Sequence, residues 1–412
     1  MNSSLLYSVG TARGGTNLLN LILNVNDDVH LSQDPMLSLF KSFRNNLITN
    51  AKDIHENVNS RDPLDNYYLP LDEYYYFSHK LNVMKMIQEA NLDIDFNQSE
   101  IDSLRDSLAN RMKLSSPLLI EHLNLLNGRT YKELLLSAQK IMAKAWGTEG
   151  IKWQGFNENW AGEFIRPIAN SFEDAKFIIL IRDVRSAISS HINLVKHQSL
   201  NRLYQYDKNT NMIAGLLSFC RCWRKQVAFL HHYKASEFSD RLFVMRYEDL
   251  VINSEEEIRN ICSFLKIDFS SEMLNTENFI APDGGQWLPN SNHSGVPKRG
   301  IYSSTIDKWK SNLNNEMISL IEFICGPELI ALGYSVNNNF TNFPSDAFEM
   351  HDFDHKNTKG WRTDNFNPTM DFGFELLRRK LLIERTNNKD LIEKCFLFDE
   401  SYKALFTHLE KN

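Results

Sequence analysis

The feature that most constrains this chain is a glycine-rich turn near its start, set between an apolar run and an apolar helical pattern. The run at residues 5–9 stops at Gly10, the turn at residues 11–15 contains Arg13, and the helical pattern begins near Leu18. Glycines let the backbone approach an oxyanion, and the first N–H groups of a helix have no partner within it. Arg13 adds a forked, permanently charged donor. The stretch therefore predicts a cradle for a phosphate-like group.

The P-loop of nucleoside triphosphatases, G-x-x-x-x-G-K-[ST], is the first alternative for this turn. Gly10 and Gly15 have its glycine spacing, but Thr16 stands where the motif has the lysine that contacts the outer phosphates. The turn thus favours a phosphate-like ligand other than the cleaved end of ATP. A glycine turn without a ligand remains the second alternative for this stretch taken alone.

Composition narrows the classes of partner. The 412 residues suffice for one large domain with additions or for two domains, and the net charge of −7 argues against nucleic acid or an anionic membrane as the main partner. The five cysteines include no C-x-x-C pair, so they indicate neither a zinc site nor a disulfide framework and fit a reducing compartment. The chain has no secretory leader pattern and no long uncharged apolar run. We expect a cytoplasmic protein without a membrane anchor, and the oligomeric state is left open.

Apolar runs separated by helical patterns predict the fold. Residues 177–181 are a continuous apolar run typical of a strand buried on both faces, residues 242–246 are predicted to be another buried strand, and residues 29–31 and 151–156 are weaker strand candidates. This order predicts an α/β fold of three layers, P-loop-like, with a mainly parallel central sheet. Residues 41–147 are predicted to be a large α-helical insertion.

The same patterns predict the domain organisation. A domain at residues 1–336 would consist of a core at 1–40 and 148–336 and the insertion, and residues 337–412 would form a partly helical C-terminal extension with one helical pattern at 374–385. Ser254 and Glu257 predict a capping box at a helix start. Gly326 and Pro327 predict the end of a helix that begins near Met317.

Polar side chains follow three of the predicted strands, at residues 10–17, 182–190 and 246–249. The carboxyl ends of parallel strands meet at one edge of a sheet, where ligands bind, so the three segments together would surround one nucleotide. The segments read G-T-A-R-G-G-T-N-L-L, K-F-I-I-L-I-R-D-V-R-S-A-I-S-S and R-Y-E-D-L-V. They resemble the three signature segments of the sulfotransferases that use 3′-phosphoadenosine 5′-phosphosulfate (PAPS).

A fourth segment, from Pro289 through Trp309 to Tyr334, is similar to the C-terminal part of the bacterial and carbohydrate-type members of that family. The resemblance covers residues 1–40 and 148–336. The insertion and the C-terminal extension match nothing in the family pattern.

The resemblance implies roles for individual residues. The loop around the 5′-phosphosulfate would contain Arg13, Gly14, Gly15, Thr16 and Asn17; the 3′-phosphate site would contain Arg182 and Ser190; Tyr247 would lie near the nucleotide; and a late loop over the 3′-phosphate would contain Lys298, Arg299 and Gly300. Gly14 and Asn17 depart from the S-G-T-T of most family loops, and Val184 replaces the proline that is frequent after R-D or R-N in the second signature segment. No metal is required in the family.

Sulfuryl transfer by in-line attack needs positioning, donors and a base that takes the acceptor proton. The cytosolic members use a histidine in K-x-H, and here Lys152-Trp153-Gln154 keeps the lysine but has glutamine at the histidine position. The carbohydrate-type members use a carboxylate shortly after the first helix, and Asp34 is the matching residue. An Asx turn before Pro35 is the alternative role of Asp34. Lys152 is a candidate contact to the transferring group, and the reserve candidates are His191, His122 and Glu158.

The predicted function is the transfer of a sulfuryl group from PAPS to a hydroxyl or amine of a small-molecule or carbohydrate acceptor, which leaves 3′-phosphoadenosine 5′-phosphate (PAP). The insertion would set acceptor choice, and the acidic balance favours a neutral or cationic acceptor. One alternative is a P-loop kinase-like phosphotransferase. The other is a non-catalytic nucleotide-binding relative, which Gln154 and Asn17 favour because both depart from the family pattern.

Overall fold

The computed structural model describes residues 3–50, 64, 83–197, 212–288, 300–336 and 368–409. In chain order the strands are β1 (Ser4–Gly10), β2 (Val29–Gln33), β3 (Trp153–Asn159), β4 (Lys176–Ile181) and β5 (Leu242–Arg246). The helices before β5 are α1 (Thr16–Leu23), α2 (Leu37–Asn50), α3 (Val83–Glu89), α4 (Ile101–Ser115), α5 (Tyr131–Trp146), α6 (Ile165–Ser171), α7 (Val184–His197) and α8 (Met212–Lys234). Those after β5 are α9 (Tyr247–Ile252), α10 (Ser254–Leu265), α11 (Trp309–Asn312), α12 (Asn315–Ala331), α13 (Pro368–Glu384), α14 (Lys389–Cys395) and α15 (Asp399–Leu409).

The chain divides into two compact units. The first comprises residues 1–69, 79–181 and 240–303 and contains the sheet, and the second comprises residues 70–78, 182–239 and 304–412 and is helical where described. The predicted boundary between residues 336 and 337 stays a prediction. Within the second unit, α15 packs against α8 and α12.

The sheet of the first unit has the order β2-β3-β1-β4-β5, and every pair in it is parallel. Gly10 lies beside Asn159 on one side and Leu180 on the other, so the carboxyl ends of the three central strands share one edge. Crossovers between parallel strands are right-handed. The connection from β1 to β2 through α1 moves one way across the sheet, and the connections from β2 to β3 through α5 and from β3 to β4 through α6 move the other way. Helix α1 is therefore expected on one face of the sheet, and α5 and α6 on the other. The predicted α/β fold with a mainly parallel central sheet is confirmed.

The apolar pattern explains the burial of the sheet. In β4 every residue except Lys176 is buried, as expected of a central parallel strand. An aromatic cluster lies between α2 and the sheet, where Phe40 stacks on Phe164 with ring centroids 4.4 Å apart and Tyr7 contacts both Phe40 and Phe156. Aromatic side chains bury large apolar areas, so this cluster anchors α2 and the segment before it.

Several predicted boundaries differ from the structure. The third strand runs to Asn159 rather than Phe156, which brings three polar residues to the carboxyl edge. The predicted capping box is wrong, because α10 begins after Asn253 and has no side-chain cap hydrogen bond. Pro327 lies inside α12 instead of ending it, because buried residues on both sides of it, such as Ile324 and Leu329, hold the helix in place.

The second unit is held by buried ion pairs as well as apolar contacts. Arg224 donates to Glu375 with distances of 2.5 and 3.0 Å, and Arg378 pairs with Glu328. These pairs join α13 to α8 and α12. The predicted helical pattern at 374–385 corresponds to α13, whereas α14 and α15 were not predicted; together they form an apolar cluster of Leu381, Leu382, Ile392, Cys395, Phe396, Tyr402 and Leu405.

In the part of the chain that the structure describes, no helix is long and apolar enough to cross a membrane.

Candidate functional site

The glycine turn after β1 has the geometry of an anion cradle. Arg13 has φ 64° and Gly15 has φ 96°, and the N–H of Gly14 donates to the carbonyl oxygen of Thr11 (2.8 Å). Helix α1 begins directly after Gly15, with no side-chain cap and no acidic residue in its first turn. Its first N–H groups therefore carry the positive end of the helix dipole without a competing carboxylate.

Tyr247 packs against the backbone of this turn. A Cβ atom added to Gly15 would lie 2.2 Å from Cδ2 of Tyr247, and the tyrosine is buried at the start of α9. Position 15 thus requires glycine for two reasons: its backbone has a left-handed φ angle, and the Tyr247 ring leaves no room for a Cβ atom. The structure brings Tyr247 to the turn, and its place near a nucleotide stays a prediction.

Other residues of the turn also fit an oxyanion. The hydroxyl of Thr11 is fully buried, and Oγ1 has no hydrogen-bond partner among the described residues. A buried polar atom usually has a partner, and a ligand oxygen at the turn is one group that would supply it. Arg13 is partly exposed, and the side chain of Asn17 is exposed on the first turn of α1.

Asp34 lies at the same edge of the sheet, one residue after β2. It has φ 43° and is 8 % exposed. Its Oδ1 accepts hydrogen bonds from Asn157 Nδ2 (3.1 Å), from Asn159 Nδ2 (3.0 Å) and from the backbone N–H of Asn159 (3.1 Å). Its carbonyl oxygen accepts from Arg111 Nε (2.9 Å) and Ser115 Oγ (3.2 Å) on α4. The surrounding bonds therefore hold the left-handed turn in place.

Two amide side chains connect Asp34 to α1. Thr16 Oγ1 donates to Asn159 Oδ1 (3.0 Å), and Asn20 Nδ2 donates to Asn157 Oδ1. Thr16 and Asn20 are one helical turn apart, so they present both groups on one face of α1. The glycine turn and Asp34 thus belong to one hydrogen-bonded network. Sequence reasoning missed Asn157 and Asn159 because it ended the third strand at residue 156.

Glu158, between the two asparagines in sequence, is fully buried and has two partners. Its Oε1 accepts the backbone N–H of Met36, and its Oε2 accepts from the terminal nitrogen of Arg111 (3.1 Å). Burial raises the pKa of Glu158 to about 7; Arg111 opposes that shift and Asp34 adds to it. Burial also raises the pKa of Asp34, opposed by Arg111 and the asparagine hydrogen bonds.

The structure corrects the prediction for Lys152. This residue precedes β3 at the amino edge of the sheet, where its carbonyl oxygen accepts from the N–H of Ser4 (2.9 Å) and its Nζ donates to the carbonyl oxygen of Lys266 (2.5 Å). The strand β1 separates it from Gly10 by roughly 20 Å, at about 3.3 Å per residue. Gln154 is buried close by and accepts from Thr148 Oγ1 (2.7 Å). Neither residue joins the glycine turn, because their strand starts at the opposite edge.

The second signature segment begins with β4 in the first unit, and its residues 182–190 belong to the second unit. The carbonyl oxygen of Arg182 accepts from Trp223 Nε1 (2.8 Å), and Asp183 Oδ1 accepts from the N–H of Arg185 (2.8 Å) at the start of α7. Arg182 is mostly buried, and Ser190 lies on α7, partly exposed. The turn before Val184 is thus a helix start capped by an aspartate.

Trp309, from the fourth segment, packs on the same helix. The guanidinium of Arg185 lies 4.1 Å from the centre of the Trp309 ring and donates to Glu322 (2.6 Å). Ser186 Oγ donates to the carbonyl oxygen of Ile306 (2.7 Å). The fourth segment therefore supports α7, the helix that carries Ser190.

The late basic loop is only partly described. Lys298 and Arg299 lie outside the described residues, and Gly300 has φ 134°. His191 is buried on α7 against Phe219 with ring centroids 5.6 Å apart, and His122 lies in the 3-10 segment Pro117–Leu125.

The parallel sheet and the glycine turn that follows β1 define an α/β protein of the P-loop-like class. A family model described as the Sulfotransferase family matches residues 6–271, which is more than half of the chain and includes the turn, Asp34 and Glu158. The chain belongs to the Sulfotransferase family.

Curated relatives are similar over part of their length. The protein-tyrosine sulfotransferase of Drosophila melanogaster is 26% identical over 167 residues, which cover 40% of this chain and 31% of that protein. Protein-tyrosine sulfotransferase 1 of Danio rerio is 25% identical over 182 residues, which cover 43% of this chain and 46% of that protein. The match thus spans between about a third and a half of the length of these relatives.

Two solved structures are similar at low identity. The sulfotransferase domain from the curacin biosynthetic pathway has 16% identity and a TM-score of 0.46 and covers 81% of this chain and 99% of its own. Retinol dehydratase in a complex with retinol and PAP has 13% identity and a TM-score of 0.37 and covers 82% of this chain and 84% of its own.

Proposed function

We propose that this protein transfers a sulfuryl group from PAPS to a hydroxyl or amine of a small-molecule or carbohydrate acceptor, with Asp34 as the base. The observation that carries the proposal is the network from Thr16 through Asn159 to Asp34, because it places a carboxylate beside a turn suited to a phosphosulfate. Membership of the Sulfotransferase family supports the same reaction.

The residues present fit PAPS as co-substrate. The N–H groups at the start of α1, Arg13 and the unpartnered hydroxyl of Thr11 would hold the 5′ end, with Tyr247 against the turn. Arg182 and Ser190 are assigned to the 3′-phosphate by the spacing of their motif. PAPS supplies the sulfuryl group and leaves as PAP. The same motif comparison assigns Gly14, Gly15, Asn17, Lys298, Arg299 and Gly300 to the nucleotide.

Asp34 would act on the acceptor. Its carboxylate takes the proton from the acceptor hydroxyl as that oxygen bonds to sulfur, and the bond from sulfur to the nucleotide oxygen breaks. The three N–H donors to Oδ1 fix the orientation of the carboxyl and leave Oδ2 with a single contact among the described residues, from Asn159 Nδ2 (3.1 Å). The first N–H groups of α1 stabilise the charge that develops on the transferred group. Such a step needs no metal.

A tyrosyl hydroxyl on a peptide is a second candidate acceptor. The similarity to protein-tyrosine sulfotransferases over 167 and 182 residues favours it. A phenolic hydroxyl is more acidic than an alcohol, so Asp34 would take its proton more readily.

An acceptor screen with ³⁵S-labelled PAPS tests the proposal, with sugars, small alcohols, amines and a tyrosine peptide as acceptors. Labelled product from at least one acceptor, and thermal stabilisation by PAP, are expected. Strong stabilisation by ATP with Mg²⁺ and none by PAP would instead favour a kinase-like phosphotransferase. Binding of PAP without transfer to any acceptor would favour a non-catalytic relative.

The proposal includes a neutral or cationic acceptor, no nucleic-acid or membrane partner, and a cytoplasmic location. The support for these three parts is the composition of the sequence. The oligomeric state is open.

A further inference from the structure

We infer that Arg111 and Glu158 are positioning residues for Asp34, and that the two carboxyls beside the Arg111 guanidinium share one proton in the folded protein. The coupling concerns the protein alone, whereas its catalytic consequence rests on the proposed function. Both residues are inferred to act through Asp34.

The geometry starts from the guanidinium of Arg111. Its Nε donates to the carbonyl oxygen of Asp34 (2.9 Å), and its terminal nitrogen donates to Oε2 of Glu158 (3.1 Å). One rigid fork thus joins the turn after β2 to the edge of β3. The side chains of Arg111 and Glu158 are 9% and 0% exposed, so water hardly screens this arrangement.

The charges within this group do not balance. Two carboxyls face one guanidinium, and full ionisation would leave one unpaired negative charge in a site that water barely enters. Among neighbouring elements, α2 carries the buried cations Lys41 and Arg44, the glycine turn carries Arg13, and α1 presents the neutral Thr16 and Asn20. The cation in direct contact with both the Asp34 turn and Glu158 is Arg111. One of the carboxyls therefore keeps its proton to higher pH than an exposed carboxyl does.

The pKa shifts agree with this arrangement. Burial raises the pKa of both groups, and the charge of Asp34 adds to the rise at Glu158. When Glu158 holds the proton, Asp34 is ionised and accepts the acceptor proton. When both are ionised, their repulsion makes Asp34 a stronger base. Glu158 thus moves the working range of Asp34 toward neutral pH.

A measurement without substrate tests the coupling. The native protein binds more protons than the unfolded chain between the usual pKa of a glutamate, 4.5, and the raised value of about 7. The stability that protonated Glu158 contributes is therefore present below that window and lost as pH rises through it. The unfolding free energy of the wild type minus that of Glu158→Gln should fall across this window. In an Asp34→Asn background the midpoint of the fall should move down by about one pH unit, because Glu158 loses its like-charged neighbour.

An unshifted midpoint in the Asp34→Asn background, or no fall at all, overturns the inference. If Glu158→Gln does not fold, an infrared titration of the protonated carboxyl band in the wild type and Asp34→Asn measures the same shift with those two proteins alone.

The pH profile of transfer tests the catalytic consequence. In Glu158→Gln the rise of kcat/KM that follows ionisation of Glu158 near pH 7 should be lost, with the lower acidic limb in place and PAP affinity within about twofold of the wild type. Arg111→Lys keeps the cation but loses the fork, so kcat should fall roughly tenfold with the limb near its wild-type position. Arg105→Lys is the matched control on the same helix, since Arg105 contacts exposed Asp102 and the carbonyl oxygen of Leu126. It should leave kcat and the limb unchanged.

A rise of kcat/KM near pH 7 that persists in Glu158→Gln contradicts the catalytic consequence. Absence of transfer by the wild type contradicts the proposed function instead, and the unfolding curves then still decide whether the carboxyls are coupled.

Discussion

Thr16 and Asn159 are joined by a hydrogen bond of 3.0 Å from the threonine hydroxyl to the amide oxygen. Thr16 is the first residue of α1, and the amide nitrogen of Asn159 donates to both carboxyl oxygens of Asp34. A threonine that replaces the P-loop lysine therefore holds the residue that orients the candidate base. The position that excluded an ATP-type P-loop in the sequence has its own structural function.

Replacing Asn159 by alanine should damage both ends of this connection. Thr16 loses its acceptor and Asp34 loses two side-chain contacts from the amide, so we expect a loss of about 1–3 kcal/mol in unfolding free energy and a fall in kcat of at least about tenfold. Urea unfolding and transfer kinetics measure the two effects. Asn170→Ala is the control, because that amide is exposed and donates only to the carbonyl oxygen of Ala90 (3.1 Å). Equal behaviour of the two variants would contradict a special role for Asn159.

Gly15→Ala should abolish the fit between the turn and Tyr247. The new Cβ would lie 2.2 Å from the tyrosine ring, in a backbone with φ 96°. PAP affinity, measured by calorimetry, should fall at least about tenfold, because the first turn of α1 must move. Gly150→Ala separates the two causes, since Gly150 has φ 87° but open space around its Cβ position. That control should cost about 1–2 kcal/mol of stability and leave PAP binding intact.

Asp34→Asn should lower turnover by about 10²-fold or more, the usual contribution of a general base. An asparagine keeps the size of the side chain, so PAP should bind within about threefold of the wild type. Single-turnover transfer from labelled PAPS measures the first effect and calorimetry the second. Unchanged turnover would remove Asp34 from the reaction. Lys152→Ala, at the opposite edge of the sheet, should leave both quantities unchanged.

Arg182→Ala tests the assignment of the 3′-phosphate. PAPS should bind at least about 10²-fold more weakly, whereas adenosine 5′-phosphosulfate, which lacks the 3′-phosphate, should lose much less. Competition against labelled PAPS gives both affinities. Equal losses for the two nucleotides would show that Arg182 supports the fold of its unit rather than the 3′-phosphate.

The local sequence pattern was sufficient to predict the positions of β4, β5 and the glycine turn. Continuous apolar runs located β4 and β5 within one residue at either end, and the glycine spacing with Arg13 located the cradle. Asp34 was found by resemblance. The polar edge of β3 was missed because Asn157, Glu158 and Asn159 do not have a strand-like composition. Asn157 and Glu158 are buried and Asn159 is half-buried, and their side chains form hydrogen bonds with residues of other segments, such as Asp34 and Met36.

Long-range partners were beyond sequence reasoning. Arg111 lies 77 positions from Asp34 in sequence, on a helix whose own pattern gives no sign of a buried arginine. Lys152 was misplaced for a related reason: matching three letters of a motif does not specify which edge of the sheet they occupy. Pro327 shows that a proline, a strong local signal for a helix end, can lie inside a helix when the residues on both sides of it are buried.

Arg111 has a consequence for how this protein can be modified. It belongs to the helical insertion between β2 and β3, yet its guanidinium holds the turn that carries Asp34. The insertion therefore cannot be exchanged without an effect on the turn that carries Asp34. If Asp34 is the proposed base, a chimera that receives the insertion of another family member should stay active only when the donor segment brings an arginine to the same place, so an exchange of the insertion also exchanges the support of Asp34.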